Sequence, residues 1–374
     1  MKVLISLILF FLLLPNFSNA ASDSDVIKIA AIFSQTGEAA AISGEHLIAA
    51  RFAVDEINHN GGVLGRKIKL IIFDNGSSAL GSRQAAKAAV KADIVAVLGG
   101  SWSSHALGMA PVLQKAGIPM LSPTSTNPQV TAVGDYIFRA CFTDTFQGKI
   151  AAKFAYDDLK KKRAVVLTNV DQVFSIELSK QFKKSFQELG GEIVDSLDYV
   201  ENISGYGKLI EDLGRYQFDL IFLPGYTRDS AQIIKKSREV GIETTFLSGD
   251  GWSHLMYKYA PYSLENSYYL SHWDRSLGDR ISIDFTRKIS SVVAKNEVNG
   301  GTALAYDMVY LLVDAIRRAG TVDRKRIRDS LAETQDFVGV AGSIRFDKQG
   351  DPIKPAVVLK FDHGGVSLVK QVFP

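Results

Sequence analysis

Short apolar runs alternate with amphipathic stretches along most of this chain, and glycine or proline punctuates the joints. Ile27-Lys28-Ile29-Ala30-Ala31-Ile32-Phe33 predicts a buried strand. A helix is expected from Gly44 to His59, with Leu47, Ile48, Phe52 and Ile57 on one face, Val54 to the side, and Glu45, Arg51 and Glu56 turned to solvent. Gly61-Gly62 supplies its left-handed stop. The pattern then repeats. Lys69 to Phe73 reads as a strand, Ser82 to Lys91 as a helix, Ile94 to Leu98 as a strand, and His105 to Lys115 as a helix interrupted near Pro111. The short run Ile118 to Leu121 follows.

A second series begins after Arg139. It comprises a helix near Gln147 to Leu159, the strand Ala164 to Thr168, a helix from Ser175 to Leu189, the strand Leu220 to Leu223, and a helix from Ser230 to Val240. Strands separated by helices predict an α/β fold of parallel βαβ units with right-handed crossovers. The tail differs: a long amphipathic helix from Ala303 to Ala319 precedes strand-like segments at Gly342 to Phe346 and Ala356 to Phe361. Two similar series imply two lobes of like architecture.

Composition sharpens this picture. Met1-Lys2, an apolar stretch from Val3 to Leu14, and Ser18-Asn19-Ala20 form a signal-peptide pattern, so residues 1–20 are expected to be removed on export. The rest of the 374-residue chain exceeds what one core usually organises. A formal net charge of +3 gives no reason to expect a nucleic-acid partner. The single cysteine, Cys141, excludes an intramolecular disulfide. Six scattered histidines show no zinc spacing, and neither a nucleophile elbow nor a phosphate loop occurs, so neither metal, cofactor nor catalysis is expected.

Polar chemistry gathers instead where strands end. Gly99-Gly100-Ser101-Trp102-Ser103-Ser104 follows one apolar run, and Ser122-Pro123-Thr124-Ser125-Thr126-Asn127-Pro128 follows the next. Ligands of open α/β sheets bind at that edge, and free N–H groups at a helix start suit a small anion such as a carboxylate. Each residue has a plainer reading too. Ser103 can simply cap a helix, Thr124 and Thr126 can form hydroxyl turns, and Asp250 between two glycines can be a turn residue. Trp102 and Phe174 can be core residues, and Tyr226 a loop aromatic.

The order of segments resembles the type I periplasmic binding proteins, in the leucine/isoleucine/valine-binding branch that serves ABC importers. The matching residues include Gly44, Gly61 to Lys67 leading to Asp74, Gly99 with Ser103, Gly117-Ile118-Pro119, Thr126-Asn127-Pro128, Phe138-Arg139, Phe337 to Asp347, and Gly350-Asp351. The resemblance implies two Rossmann-like lobes joined by three crossings, residues 21–144 plus 274–353 and 145–273 plus 354–374, with the ligand trapped between them. It places an amino acid's carboxylate on Ser103, Thr124 and Thr126, its ammonium on Asp250, and Tyr226 as a lid, with Trp102 and Phe174 in the wall. It implies a monomer in the periplasm that delivers its ligand to a membrane permease. A sensory module of the same fold, or a site for another carboxylate or an amide, stays open beside it. The chain departs from the family pattern at Phe174-Ser175, where Tyr-Gly is usual, at Ser43, where an aromatic often stands, and at Trp102, where a small residue is usual.

Overall fold

The computed structural model describes residues 26–201, 205–294 and 297–374. The signal-peptide segment 1–20 therefore lies outside the described residues. In chain order the elements begin β1 (Val26–Phe33), α1 (Ala40–His59), β2 (Lys67–Asp74), α2 (Ala79–Val90), β3 (Ala96–Gly99), α3 (Ser103–Ala116), β4 (Met120–Ser122) and β5 (Ile137–Arg139). These five strands form one parallel sheet in the order β2-β1-β3-β4-β5. Strand β1 shows why helices cover both faces. Ile27, Ile29, Ala31 and Phe33 enter a core shared with α1, while Ala30 and Ile32 enter another shared with α2 and α3. A period of two along a strand buried on both sides produces this division.

A second body follows. It contains α4 (Asp144–Lys153), β6 (Arg163–Asn169), α5 (Val173–Glu188), β7 (Glu192–Tyr199), α6 (Gly207–Leu213), β8 (Leu220–Phe222), α7 (Thr227–Glu239), β9 (Thr245–Ser248) and β10 (Ser267–Ser271). The chain then returns to the first body through α8 (Arg280–Ile289), α9 (Gly300–Ala319) and α10 (Arg324–Ala332), whose apolar faces join the core of α1. The small antiparallel sheet β11 (Phe337–Gly339), β12 (Gly342–Phe346) and β13 (Pro352–Ile353) follows. Finally β14 (Ala356–Asp362) and β15 (Gly365–Val372) complete the second sheet, ordered β15-β14-β10-β9-β8-β6-β7. Strands β7, β6, β8, β9 and β10 are parallel; β14 and β15 run antiparallel at its edge. The chain thus passes between the two bodies after β5, after β10 and after β13.

Two local expectations need correction. α3 is continuous through Pro111, the helix running from Ser103 to Ala116 without a break. α1 starts earlier than expected and buries Ala49, Ala50, Ala53 and Val54, whereas Ile48 is 41% exposed. Small side chains let α1 lie close to its neighbours, so alanines join Leu47 and Ile57 in the buried stripe.

Glycine at position 99 is dictated by the approach of β1. Its φ is +144°, and a Cβ there would lie 1.9 Å from the Ile32 carbonyl oxygen. Gly99→Ala is expected to destabilise the protein by about 2–4 kcal/mol, since backbone must move to relieve the clash. Urea unfolding monitored by circular dichroism measures it.

Candidate functional site

The carboxyl ends of the parallel strands in both bodies face a shared cavity of about 730 Å³, within the usual range for small-ligand sites. Ser101, Trp102, Ser103 and Thr124 line it from the first sheet's loops; Phe174, Tyr226, Asp250 and His272 line it from the second's. Six of the seven residues singled out in the sequence therefore meet at one place. Thr126 does not line the cavity. It is buried behind the loop, with its hydroxyl beside the Asp144 carboxyl but short of hydrogen-bond geometry.

The loop between β4 and β5 is held by its own hydroxyls. Ser122 Oγ donates to the Gly100 carbonyl at 2.8 Å, and Thr124 Oγ1 donates to the Ser101 carbonyl at 2.8 Å. Ser103 Oγ accepts from the Asn127 N–H at 3.3 Å. These bonds fasten the two polar tracts to each other. Ser103 is also the first residue of α3, so its backbone N–H lies at the positive end of the helix. Its plainer reading as a cap is not realised: Trp102 holds the N-cap position, and no side chain caps the helix.

Four rings cross the gap between the bodies in one column. His105 stacks on Trp102 with centroids 5.3 Å apart, Trp102 on Tyr226 at 3.9 Å and 5°, and Tyr226 on Phe174 at 5.4 Å. Trp102 and Tyr226 occupy the N-cap positions of α3 and α7, so each ring is carried by a helix start. Burial drives the Tyr226 phenol's pKa well above its ordinary value. Asn127 adds a polar link across the same gap, its Nδ2 donating to the Val173 carbonyl at 2.9 Å.

Asp250 lies just beyond β9, with its side chain 7% exposed. One carboxylate oxygen is 2.8 Å from His272 Nε2, and the other accepts from Gln147 Nε2 at 3.0 Å. The Asp250 N–H donates back to Gln147 Oε1 at 3.1 Å. Gln147 also donates to Asp144 at 2.7 Å. Burial lowers the His272 pKa to about 4, partly offset by Asp250, so the imidazole is neutral at pH 7 and gives its Nε2–H to the carboxylate. Burial, reinforced by the charge of Asp250, raises Asp144 to about 8. A carboxylate with two fixed donors keeps lone pairs for a third, such as an ammonium.

Sequence reasoning misses His272, Gln147 and Asp144. His272 directly follows β10, Ser267-Tyr268-Tyr269-Leu270-Ser271, a strand too rich in serine and tyrosine to read as a buried apolar run. The two others sit inside a helix where nothing marks them. Ser101, buried and 2.9 Å from His46 Nδ1, belongs to the first polar tract but serves the framework.

Residues 26–365 match the family model described as periplasmic binding protein. The chain belongs to that family. It is 24% identical over 350 residues to the leucine-, isoleucine-, valine-, threonine- and alanine-binding protein of Pseudomonas aeruginosa, covering 90% of each chain. The leucine-binding protein LivK of Thermotoga maritima superposes with a TM-score of 0.89 at 30% identity, over 93% of this chain and 99% of that one. LivJ of Streptococcus pneumoniae, a branched-chain amino acid transporter substrate-binding protein solved with isoleucine, gives 0.88 at 29% identity, over 93% and 100%. The two-lobe α/β architecture expected from the sequence is that of these proteins. Family membership fits a periplasmic location, and among the described residues no helix is long and apolar enough to cross a membrane.

Proposed function

We propose that this chain is a periplasmic solute-binding protein that captures a branched-chain or related apolar amino acid between two lobes and hands it to the permease of an ABC importer, without chemical turnover. The lobes are residues 21–144 with 274–353, and residues 145–273 with 354–374, and the protein acts as a monomer. The observation that carries the reading is one cavity bounded by hydroxyls and a helix start on one body and by Asp250 on the other. Those are complementary ends for a zwitterion.

In this reading Ser103 and Thr124 receive the carboxylate, with Thr126 supporting the loop from behind, and Asp250 receives the ammonium. Tyr226 closes over the ligand with the second lobe. Because the two ends of the ligand meet different lobes, the closed form gains contacts that an open one lacks, and binding shifts the population toward closure. A micromolar ligand corresponds to about −8 kcal/mol.

Titration calorimetry with the common amino acids tests the reading; failure of every zwitterionic amino acid to bind overturns it. Ser103→Ala is expected to weaken a bound amino acid by about 1–3 kcal/mol, the worth of one hydrogen bond to a charged group, and also to lower the urea midpoint, because the buried Asn127 N–H loses its acceptor. The same titration measures that loss.

A further inference from the structure

The column His105–Trp102–Tyr226–Phe174 has two rings from each body, and successive planes lie within 18° of one another. Its middle joint, Trp102 against Tyr226, is where the bodies meet. The joint is also the tightest of the three, with centroids at 3.9 Å, closer than the 4.5–7 Å that aromatic pairs ordinarily prefer. Polar groups for an amino acid's backbone flank it. Ser103 follows Trp102 directly, and the loop bearing Asp250 is folded onto the column's last ring: a Cβ on Gly251 would stand 2.8 Å from Phe174 Cε1.

We propose that the Trp102–Tyr226 joint is the side-chain subsite, and that it selects an amino acid with a flat aromatic side chain over a branched aliphatic one. This rests on the amino-acid reading above and names the class of side chain. A planar ring entering the joint needs the lobes to part by only about 3.5–4.0 Å, one carbon contact distance, and then stacks on both faces at once. A branched aliphatic group is thicker, holds the two rings further apart, and gains no stacking. Trp102, whose indole forms one wall of the joint, is then the specificity-determining side chain. His105 behind it is neutral, its pKa lowered to about 4 by burial, and so backs the indole as an uncharged ring.

The test uses the secreted full-length protein in calorimetry with L-phenylalanine, L-leucine and β-cyclohexyl-L-alanine, the last matching phenylalanine in bulk but lacking a π-face. Phenylalanine is expected to bind about tenfold more tightly than either. Trp102→Leu, which keeps an apolar side chain against Tyr226, is expected to remove that tenfold advantage, and Trp102→Phe to restore most of it. Phenylalanine should also perturb tryptophan fluorescence in the unaltered protein and much less in Trp102→Phe. Equal affinity for phenylalanine and cyclohexylalanine, or equal loss for phenylalanine and leucine in Trp102→Leu, overturns the aromatic assignment alone. Binding of none of the three overturns the assignment, and the amino-acid reading falls with it only when the wider panel of amino acids also fails to bind.

Discussion

Asp250→Asn is expected to abolish tight amino-acid binding while leaving the protein folded. The asparagine oxygen still accepts from Gln147, and its amide donates to His272 Nε2 once that neutral ring takes its other tautomer, so the corner keeps hydrogen bonds on both sides. What it removes is the charge. An ammonium brought into the closed cleft then loses its counter-ion, and truncating one partner of a buried hydrogen-bonded charge pair costs about 2–5 kcal/mol. At about 1.4 kcal/mol per factor of ten, affinity falls by roughly thirty- to several-thousand-fold. Asp250→Ala removes the charge and also strands the Nε2–H of His272, so it is expected to lower thermal stability as well as affinity. Calorimetry on both variants separates the two effects. Unchanged affinity of the asparagine variant for every amino acid that binds the parent protein would sink the role given to Asp250.

The sequence reveals the scaffold more readily than the chemistry it carries. Strands such as β1, β6 and β8 are short, apolar and buried on both faces, so their residues advertise them regardless of what surrounds them. β7 and β15 are half-exposed edge strands with polar residues interleaved, and α6, α8 and α10 are short polar helices; their apolar signal is too thin to read without the partners they cover. The site divides in the same way. Ser103, Thr124 and Asp250 stand just past strand ends, but each also reads as a cap or turn residue, and it is the resemblance that singles them out. Gln147 and His272 act on Asp250 from 103 and 22 residues away, and only the assembled second body shows that they converge. Trp102 lies between these cases. Its departure from the family pattern is visible in the chain, but the ring it faces belongs to the other body.

Arg139 is the residue whose loss should damage both the fold and the site. Its side chain is fully buried at the end of β5. Nη1 donates to the Ser125 carbonyl at 2.6 Å, and Nη2 donates to the Asn127 carbonyl at 2.8 Å and to Thr131 Oγ1 at 2.9 Å. Nε lies 2.7 Å from the Asp351 carboxylate, which accepts in turn from Thr131 at 2.8 Å. One guanidinium therefore clamps the loop that carries Thr124 and Thr126, and ties the first passage between the bodies to the segment leading into the third. Arg139→Ala leaves two loop carbonyls and a largely buried carboxylate without their donor, an expected cost of about 3–5 kcal/mol. Arg139→Lys retains the charge but not the fork that reaches the two carbonyls together, so it should recover only part of the loss. In urea the first unfolding transition should move to lower denaturant in both variants, further in the alanine. Calorimetry should show amino-acid affinity falling in parallel, because the carboxylate end of the site is built on the loop that Arg139 holds. A variant that unfolds early yet binds with full affinity would show that the clamp serves the framework alone.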